Sequence, residues 1–390
     1  MKLSNRITGI IGDGSDGWGV FYKARRMIAA GEPVTELTIG EHDIRTDPVI
    51  LEAMHQSALG GHTGYAMVPG TDKLRDAVAK RIEARTGVTT TRDNIIITAG
   101  GQAALFAAHH AVCDEGDTAL FIDPYYATYP GSIRGVGAKA VAVKAKADLN
   151  FQPDASDIAA LADGAKSLLI NSPNNPTGVV YARETLDSIA QVCIDQDLWL
   201  ISDEVYDTQV WEGEHISPRA LPGMAERTLV IGSMSKSHAM TGSRCGWICG
   251  PEDAIEKLID LSTSTNYGVA GFVQDAAYFA LGLGEAHEDK VAAPFRRRRE
   301  LTMAALTGQN AVKAVPADGA MYVMLDIRST GMSGEDFALA LLDKHRIAVM
   351  PGESFGSAAA GHIRVAMTID DDSYIEALKT VIAFANDKAA

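Results

Sequence analysis

The feature that most constrains the fold is the alternation of short apolar runs with helix-length segments between about residues 90 and 233. Six runs have the length and composition of buried strands: 94–98, 118–123, 138–143, 167–172, 198–204 and 228–233. Amphipathic segments such as GGQAALFAAHHAV lie between them. Strands that are apolar on both faces and separated by helices indicate a mostly parallel sheet covered on both sides. We therefore predict an α/β three-layer sandwich whose ligands bind beyond the carboxyl ends of the strands.

After about residue 290 the pattern changes. A long helical segment is followed by the short runs MYVMLDI, IAVMP and HIRVAM, with helical stretches around them. This pattern predicts a smaller α+β unit, against which the glycine-rich and extended N-terminal segment packs. We accordingly predict a large domain at residues 48–288 and a small domain built from residues 1–47 plus 289–390.

The charge of the chain restricts its partners. The formal net charge is −15 at pH 7, whereas nucleic acids and anionic membranes require a basic surface. The run Arg296–Arg299 is the strong basic cluster of the sequence, and its helical context indicates a solvated helix face with intramolecular ion pairs. We expect neither nucleic acid nor membrane as a partner.

The cysteines and the N-terminus indicate a cytoplasmic protein. Four cysteines in 390 residues do not make a disulfide framework, and we expect reduced, buried thiols. Cys245 and Cys249 have a spacing near that of metal ligands, but no His or Cys pair stands close enough to complete a zinc site, so we predict no metal. The first residues are too polar for a signal peptide, and no apolar run reaches membrane-spanning length.

Polar and glycine residues follow four of the predicted strands. Gly101 opens a helix after the first strand, and its free backbone N–H groups favour an anion, although such a turn can be merely a turn. The loop NSPNNPTG (171–178) is stiffened by two prolines. Asp203 ends the fifth strand, where a buried acid needs a cationic partner unless it is only an N-cap. Lys236 follows the sixth strand, in SMSKSHAMTGSR, and a lysine considered alone would be a solvated surface residue.

One kind of ligand explains these residues together, namely an aldehyde cofactor with a phosphate and a ring nitrogen. A desolvated lysine near other cations loses its proton more easily and forms a Schiff base with an aldehyde. An aspartate at the ring nitrogen keeps a pyridinium protonated, so that the ring accepts electrons. Ser233, Ser235 and Arg244 supply hydroxyl and guanidinium contacts for the phosphate.

The motifs SMSKSHAMTGSR, NSPNNPTG, SDEVY and HIRVAM, in this order and spacing, resemble those of the class I/II pyridoxal-phosphate aminotransferases. This is the fold type I family that includes aspartate aminotransferase, and the resemblance extends over essentially the whole chain. It implies the three-layer fold with a smaller α+β domain, the cofactor pyridoxal 5'-phosphate, and a homodimer with shared active sites. Locally, SKSHAMTG and GESFGSAAAGHIR resemble the arginine–pyruvate transaminases.

The resemblance implies a role for each matching residue. Lys236 resembles the Schiff-base lysine, and Asp203 the partner of the pyridine nitrogen. Tyr126 falls where the family stacks an aromatic ring on the pyridine, and Tyr65 matches a tyrosine that reaches the phosphate in the neighbouring subunit. The other matches are Tyr206 and Asn175 at the phenolic oxygen, Gly101 and Gln102 as the backbone phosphate cradle, and Ser233, Ser235 and Arg244 as its side-chain ligands.

Substrate binding and mechanism follow from the same resemblance. Arg364, in HIRVAM, matches the arginine that holds the substrate α-carboxylate, assisted by the backbone of Gly40 and by Asn175. Freed by the incoming amino acid, Lys236 would carry the α-proton as general base and acid. A 2-oxo acid leaves and a second one takes the amino group, which gives ping-pong kinetics. The small domain would close over the substrate and exclude water.

The sequence leaves the amino donor open. The segment LSTSTNYGVAGFVQDA has no arginine for a second carboxylate, while a basic substrate would need acids, for which Asp13, Asp16, Glu41 and Asp43 are candidates. Ser243 and His42 depart from the commoner TGWR and GEPD patterns and border the site. An arginine–pyruvate type is favoured, with an aspartate or broad-specificity enzyme as the alternative. The rivals from other classes are a C–S β-lyase and a transcription regulator that keeps this domain.

Overall fold

The computed structural model describes residues 1–12 and 17–389. Strands are numbered along the chain, and the described residues contain twelve of them: β1 Thr35–Leu37, β2 Ile95–Thr98, β3 Thr118–Asp123, β4 Lys139–Lys144, β5 Ala165–Asn171, β6 Trp199–Asp203, β7 Thr228–Ser233, β8 Gly246–Cys249, β9 Lys313–Ala314, β10 Tyr322–Asp326, β11 Ile347–Pro351 and β12 His362–Ala366.

The helices surround these strands. They are α1 Asn5–Thr8, α2 Gly19–Ala29, α3 Pro48–Leu59, α4 Asp72–Thr86, α5 Gly100–Val112, α6 Tyr129–Gly135, α7 Ala155–Ala162, α8 Arg183–Asp195, α9 Met234–Ser237, α10 Glu252–Thr265, α11 Gly271–Leu281, α12 Glu285–Leu306, α13 Gly334–His345 and α14 Asp371–Ala389. None of these helices, over the ranges that the structure describes, is both long and apolar enough to cross a membrane.

The larger sheet has seven strands in the order β2-β8-β7-β6-β5-β3-β4. All neighbours from β7 to β4 are parallel, and β8 is antiparallel to both β2 and β7. All six predicted strands are present within a few residues of their predicted ends. The sequence analysis missed β8, because GWIC is shorter than the other runs and follows a polar turn.

Helices cover both faces of this sheet, as predicted. Along β5, Leu169 packs with α5 and α6 on one face, whereas Leu168 and Ile170 pack with α7 and α8 on the other. A further core lies at the β2–β8 edge, beneath α4 and α11. Successive strand side chains point to opposite faces, so a strand buried on both must be apolar throughout.

The smaller sheet has five strands in the order β1-β11-β12-β10-β9. β1 pairs in parallel with β11, so the N-terminal segment does pack on the C-terminal unit. The expectation that this segment is extended was wrong for α2, where Val20 and Ala24 are buried against the small core. The glycines at both ends of the segment favoured the prediction of an extended chain, although its apolar residues have helical spacing.

The structure confirms the predictions for the basic run and the cysteines, except at Arg298. Arg296, Arg297 and Arg299 form intramolecular ion pairs on α12, but Arg298 is buried rather than solvated and pairs with both Asp43 and Asp371. The four cysteines are free and buried, and burial raises the pKa of each thiol. They are therefore poor nucleophiles and metal ligands.

Candidate active site

A cavity of about 440 Å³ lies beyond the carboxyl ends of the large sheet and is closed on one side by β12 of the small sheet. β2, β5, β6 and β7 all end at this edge, because parallel strands bring their carboxyl ends together. The structure brings twelve of the thirteen predicted site residues to its wall: Gly40, Gly101, Gln102, Tyr126, Asn175, Asp203, Tyr206, Ser233, Ser235, Lys236, Arg244 and Arg364.

Lys236 lies on α9, the single helical turn that directly follows β7. Its Nζ donates a 2.6 Å hydrogen bond to the carbonyl oxygen of Gly40 and lies 6.0 Å from the centre of the Tyr206 ring. Burial lowers the pKa of this ammonium to about 8, against the opposing effect of Glu41 and with help from the cations Arg364 and Arg244. With this pKa about a tenth of the lysine is the neutral amine at pH 7, and the neutral amine is the form that acts as nucleophile and base.

Asp203 is the last residue of β6 and is buried. Its Oδ2 accepts a 2.6 Å hydrogen bond from the Tyr129 hydroxyl, and its Oδ1 accepts one from the Val205 amide. Burial raises the pKa of this carboxyl to about 6, and the Tyr129 and Val205 hydrogen bonds oppose the rise. No ion pair joins Asp203 to a cation within the described residues, so the carboxylate suits a protonated group of a ligand.

Arg364 is fully buried in β12, between the rings of Tyr322 and Phe355, whose centres lie 4.3 and 4.4 Å from its guanidinium carbon. Nη1 donates to Asn175 Oδ1 at 2.8 Å, and Nη2 donates to the Thr38 carbonyl. Nε is buried and has no hydrogen-bond partner among the residues that the structure describes. Burial lowers the pKa of this guanidinium. The described chain gives it no carboxylate, although buried arginines are normally paired with one.

A phosphate-sized group of donors lies at the other end of the cavity. Ser233 and Ser235 are joined by a 2.9 Å hydrogen bond between their hydroxyls, next to the N-terminus of α5. Arg244 lies across that terminus, where a Cβ on Gly100 would come within 2.4 Å of its Nη2. Gly100 has φ +80, so the turn needs glycine for both its backbone and the packing of Arg244.

Tyr206 and Tyr322 complete the wall between these groups. Their hydroxyl oxygens are 3.1 Å apart, and burial raises the pKa of Tyr206 well above its ordinary value. Tyr322 also explains Gly40, because a Cβ at that position would lie 1.7 Å from the Tyr322 hydroxyl. A side chain at residue 40 would therefore displace either Tyr322 or the main chain whose carbonyl accepts from Lys236.

Comparison with known proteins identifies the family. Residues 32–381 match the model of the family "Aminotransferase class I and II". The chain is 38% identical over 382 residues to the arginine–pyruvate transaminase AruH of Pseudomonas aeruginosa, covering 98% of this chain and 97% of that protein. It is 34% identical to the aspartate/prephenate aminotransferase of Thermus thermophilus, covering 92% of each. The chain belongs to the class I and II aminotransferases.

Solved structures agree with this assignment. The Thermus thermophilus aspartate aminotransferase with maleate superimposes with a TM-score of 0.92 at 33% identity, covering 98% of this chain and 100% of that one. The fold is therefore that of fold type I pyridoxal-phosphate enzymes, and the protein is a pyridoxal-phosphate-dependent aminotransferase that acts on amino acids and 2-oxo acids. The aminotransferase names of the relatives do not support the β-lyase or regulator alternatives.

The residues present fit the cofactor of this family. The cavity holds one amine of lowered pKa, one buried carboxylate without an ion pair, and a cradle of N–H, hydroxyl and guanidinium donors opened by a glycine. These are the groups that an aldehyde, a protonated ring nitrogen and a phosphate require. No cluster of His, Cys, Asp or Glu within the described ranges could hold a metal ion.

Tyr65 is the predicted residue that the structure does not bring to the cavity. Its side chain is 91% exposed and packs its ring edge-on against Tyr267, 5.1 Å away. Its predicted contact is with a neighbouring subunit, so that role stays a prediction. Of the candidate acids, Glu41 lines the cavity, Asp43 is paired with Arg298, and Asp13 and Asp16 lie outside the described residues.

The sequence analysis missed several residues of this aminotransferase site. Tyr322 and Phe355 sandwich Arg364. MYVMLDI was interpreted only as a short strand, and GESFG was used only for its resemblance to the arginine–pyruvate transaminases. Tyr129 contacts Asp203, and its position three residues after Tyr126 was the available signal, because that spacing places both side chains near the start of α6. Trp18 also lines the cavity and lies in a stretch of sequence without a motif.

Proposed function

We propose that Arg364 binds the α-carboxylate of the amino donor and of the 2-oxo acid. The observation that carries the proposal is a fully buried guanidinium with neutral oxygen acceptors and no carboxylate among the described residues. A carboxylate there would receive the fork-shaped hydrogen bonds that an arginine offers, while the Tyr322 and Phe355 rings hold the guanidinium plane. Gly40, through its backbone, and Asn175 complete this end of the substrate site.

Pyridoxal phosphate, when bound, supplies an aldehyde that bonds amines and a protonated ring that withdraws electrons from the substrate α-carbon. Asp203 would hold the proton on the ring nitrogen, and Tyr126 would lie against the ring. Tyr206 and Asn175 would donate to the phenolic oxygen. The backbone of Gly101 and Gln102 and the side chains of Ser233, Ser235 and Arg244 would hold the phosphate.

Lys236 is both the covalent attachment point of the cofactor and the proton carrier. With the cofactor bound, Lys236 would hold it through its amine until the amino group of the substrate takes that place, and the freed amine would then take the proton from the α-carbon. The pKa of about 8 suits both directions, because the group accepts and returns a proton near neutral pH. Its hydrogen bond to the Gly40 carbonyl keeps Nζ on the side of the cavity where the substrate carboxylate binds.

The amino donor is proposed to be basic, with pyruvate as acceptor. Two observations support this choice over aspartate: the 38% identity to an arginine–pyruvate transaminase, and a cavity whose described wall contains no arginine beyond Arg244 and Arg364. Glu41 lines the cavity and makes no ion pair within the described chain, so its carboxylate is free to meet a cationic side chain. Aspartate or broad specificity remains the alternative, supported by the aspartate/prephenate relatives.

A half-reaction assay tests the donor. The enzyme loaded with pyridoxal phosphate is mixed with arginine, aspartate, alanine or tyrosine, and the absorbance of the bound cofactor is followed without any 2-oxo acid. We expect arginine to change the spectrum fastest, pyruvate to restore it, and E41Q to raise the arginine KM about tenfold while leaving alanine unchanged. A faster reaction with aspartate would reject the basic donor. Ammonia released with pyruvate from a sulfur amino acid would indicate a β-lyase.

We further propose the domain division at 48–288 and a cytoplasmic homodimer. Residues 1–47 and 289–390 share the smaller sheet, and Arg364 comes from this unit, so a movement of the unit would carry Arg364 onto the substrate.

Tyr65, Met67 and Tyr267 are more than half exposed, which is costly for apolar side chains unless a second copy covers them. Four reduced, buried thiols are consistent with the cytoplasm.

A further inference from the structure

The carbonyl oxygen of Lys236 receives two side-chain hydrogen bonds from outside its own element. His42 Nε2 lies 3.0 Å from this oxygen and Gln209 Nε2 lies 3.4 Å from it. A carbonyl can only accept, so His42 is in the tautomer that carries its proton on Nε2. Its Nδ1 is buried without a partner, and its ring packs edge-on against Phe295, 5.2 Å away.

The need for these donors follows from the shape of α9. The helix spans only Met234–Ser237, and its cap bond runs from the His238 amide to the Met234 carbonyl. The last carbonyls of any helix lack an intrahelical partner, and in a four-residue helix they include that of the catalytic lysine. The next residues leave the helical path, since Ala239 has φ +51 and Arg244 φ +50. Side-chain donors therefore replace the missing turn of helix.

The segment 40–46 supplies most of this support. Besides the His42 contact, the Gly40 carbonyl accepts from Lys236 Nζ, and Thr46 Oγ1 donates a 2.6 Å hydrogen bond to the Ala239 carbonyl. His42 thus contacts the main-chain oxygen of Lys236, while Gly40, two residues earlier in the same segment, contacts its side-chain amine. It also stands where the commoner family motif has a residue that cannot donate from a side chain.

We propose that His42 is a positioning residue, which donates from Nε2 to the Lys236 carbonyl and so fixes the path along which the lysine amine reaches the substrate α-carbon. The inference rests on the proposed role of Lys236. Burial and the neighbouring lysine lower the pKa of His42 to about 3, so the imidazole stays neutral and adds no positive charge beside Lys236. Its contribution is a directed hydrogen bond.

The test compares H42F, which fills similar space without a donor, with H42Q, which keeps one. We expect H42F to lower kcat about tenfold with KM within twofold, and to raise the kinetic isotope effect of an α-deuterated donor, because only proton transfer is misaligned. H42Q should recover kcat to within about threefold. T263V, which removes a similar hydrogen bond from a threonine to the Ile259 carbonyl at an exposed position of α10, should keep both kcat and the isotope effect.

A second readout does not depend on activity. Hydrogen–deuterium exchange of the full-length protein, with and without cofactor, should be several-fold faster in residues 234–240 of H42F and unchanged in H42Q. H42M, smaller and more flexible, is measured alongside in case H42F does not fold, with the same expectation. Wild-type kinetics and exchange in folded H42F or H42M, or equal losses in H42F and H42Q, would overturn the proposal. Loss of the α-deuterium from the donor at the wild-type rate in cofactor-loaded K236A would instead overturn the role of Lys236.

Discussion

Arg364 is a single charged residue buried between two aromatic rings, and no carboxylate among the described residues pairs with it. Truncating one partner of such a pair costs about 2–5 kcal/mol. We expect R364A to lose most of its turnover with every amino acid while still binding pyridoxal phosphate, because the cofactor contacts lie elsewhere in the cavity. Steady-state kinetics with fluorescence titration of the cofactor make the measurement. Unchanged kcat/KM would remove the substrate assignment.

The Tyr129 hydroxyl influences how cofactor binding depends on pH. Its hydroxyl bonds Asp203 and favours the ionised carboxylate, whose pKa burial raises to about 6. Since the carboxylate is the form that holds a protonated ring nitrogen, cofactor affinity should fall as the pH drops through about 6. Y129F removes a stabilising contact from the charged form, so the midpoint should move upward by about one unit.

The same titration provides its control. Tyr181 is equally buried but lies outside the cavity, so Y181F should leave the midpoint of cofactor binding in place. In the cofactor-free protein the pKa of Asp203 is raised from 3.8 to about 6 by burial. Its contribution therefore lowers the free energy of unfolding as the pH rises from about 4 to about 6, and the loss is complete above pH 6 and absent below pH 4. A midpoint in Y129F that moves downward would contradict the assigned role.

At the scale of elements, the β2–α5 turn shows how backbone and site depend on one residue. Gly100 and Gly116 have similar positive φ values, +80 and +89, so alanine costs about 1–2 kcal/mol of backbone strain at either position. At Gly100 the new Cβ would also strike Arg244, whereas at Gly116 nothing lies within 4 Å. G100A should therefore weaken cofactor binding about tenfold or more.

The matched variant G116A carries the same backbone strain as G100A. It should therefore lower the melting temperature while leaving the affinity for the cofactor unchanged. Thermal unfolding together with fluorescence titration of both proteins separates the two effects. If G116A lowered the affinity for the cofactor as much as G100A does, backbone strain alone would account for the lost affinity. Arg244 would then have no part in binding the phosphate.

The sequence predicted those helices and strands whose own pattern of apolar residues determines them. α5 begins and ends with the predicted segment GGQAALFAAHHAV, because its apolar spacing and its opening glycines agree. α2 was missed because glycines surround it, and its stability comes from packing Val20 and Ala24 against the small sheet. β8 was missed because four residues carry too little pattern, and its pairing with β2 and β7 defines it.

At the scale of the whole molecule, the sequence motifs located the cofactor half of the site better than the substrate half. Lys236, Asp203 and Ser233 follow strand ends, so the sheet topology alone brings them together. Tyr322 and Phe355 come from the other sheet and a following turn, and their approach to Arg364 depends on how the two sheets pack, which no local pattern encodes.

The proposed dimer has a specific consequence. If Tyr65 completes the neighbouring site, a mixed dimer of K236A and Y65A chains contains one site with neither residue and one site with both. Two inactive variants, unfolded together and refolded, should then regain about a quarter of wild-type activity, because half of the dimers are mixed and each has one intact site. Mixed chains that stay as inactive as the separate variants, with sedimentation confirming dimers, would place Tyr65 outside the partner's site.

Lys236 is proposed to be the residue to which the cofactor is bonded. Borohydride reduction of the loaded enzyme makes that bond permanent, and mass spectrometry of the digested protein locates it. We predict one added pyridoxyl-phosphate mass per chain, on the peptide containing Lys236, with none in K236A. A label on any other lysine, or an unlabelled protein that nevertheless transaminates, would contradict the account.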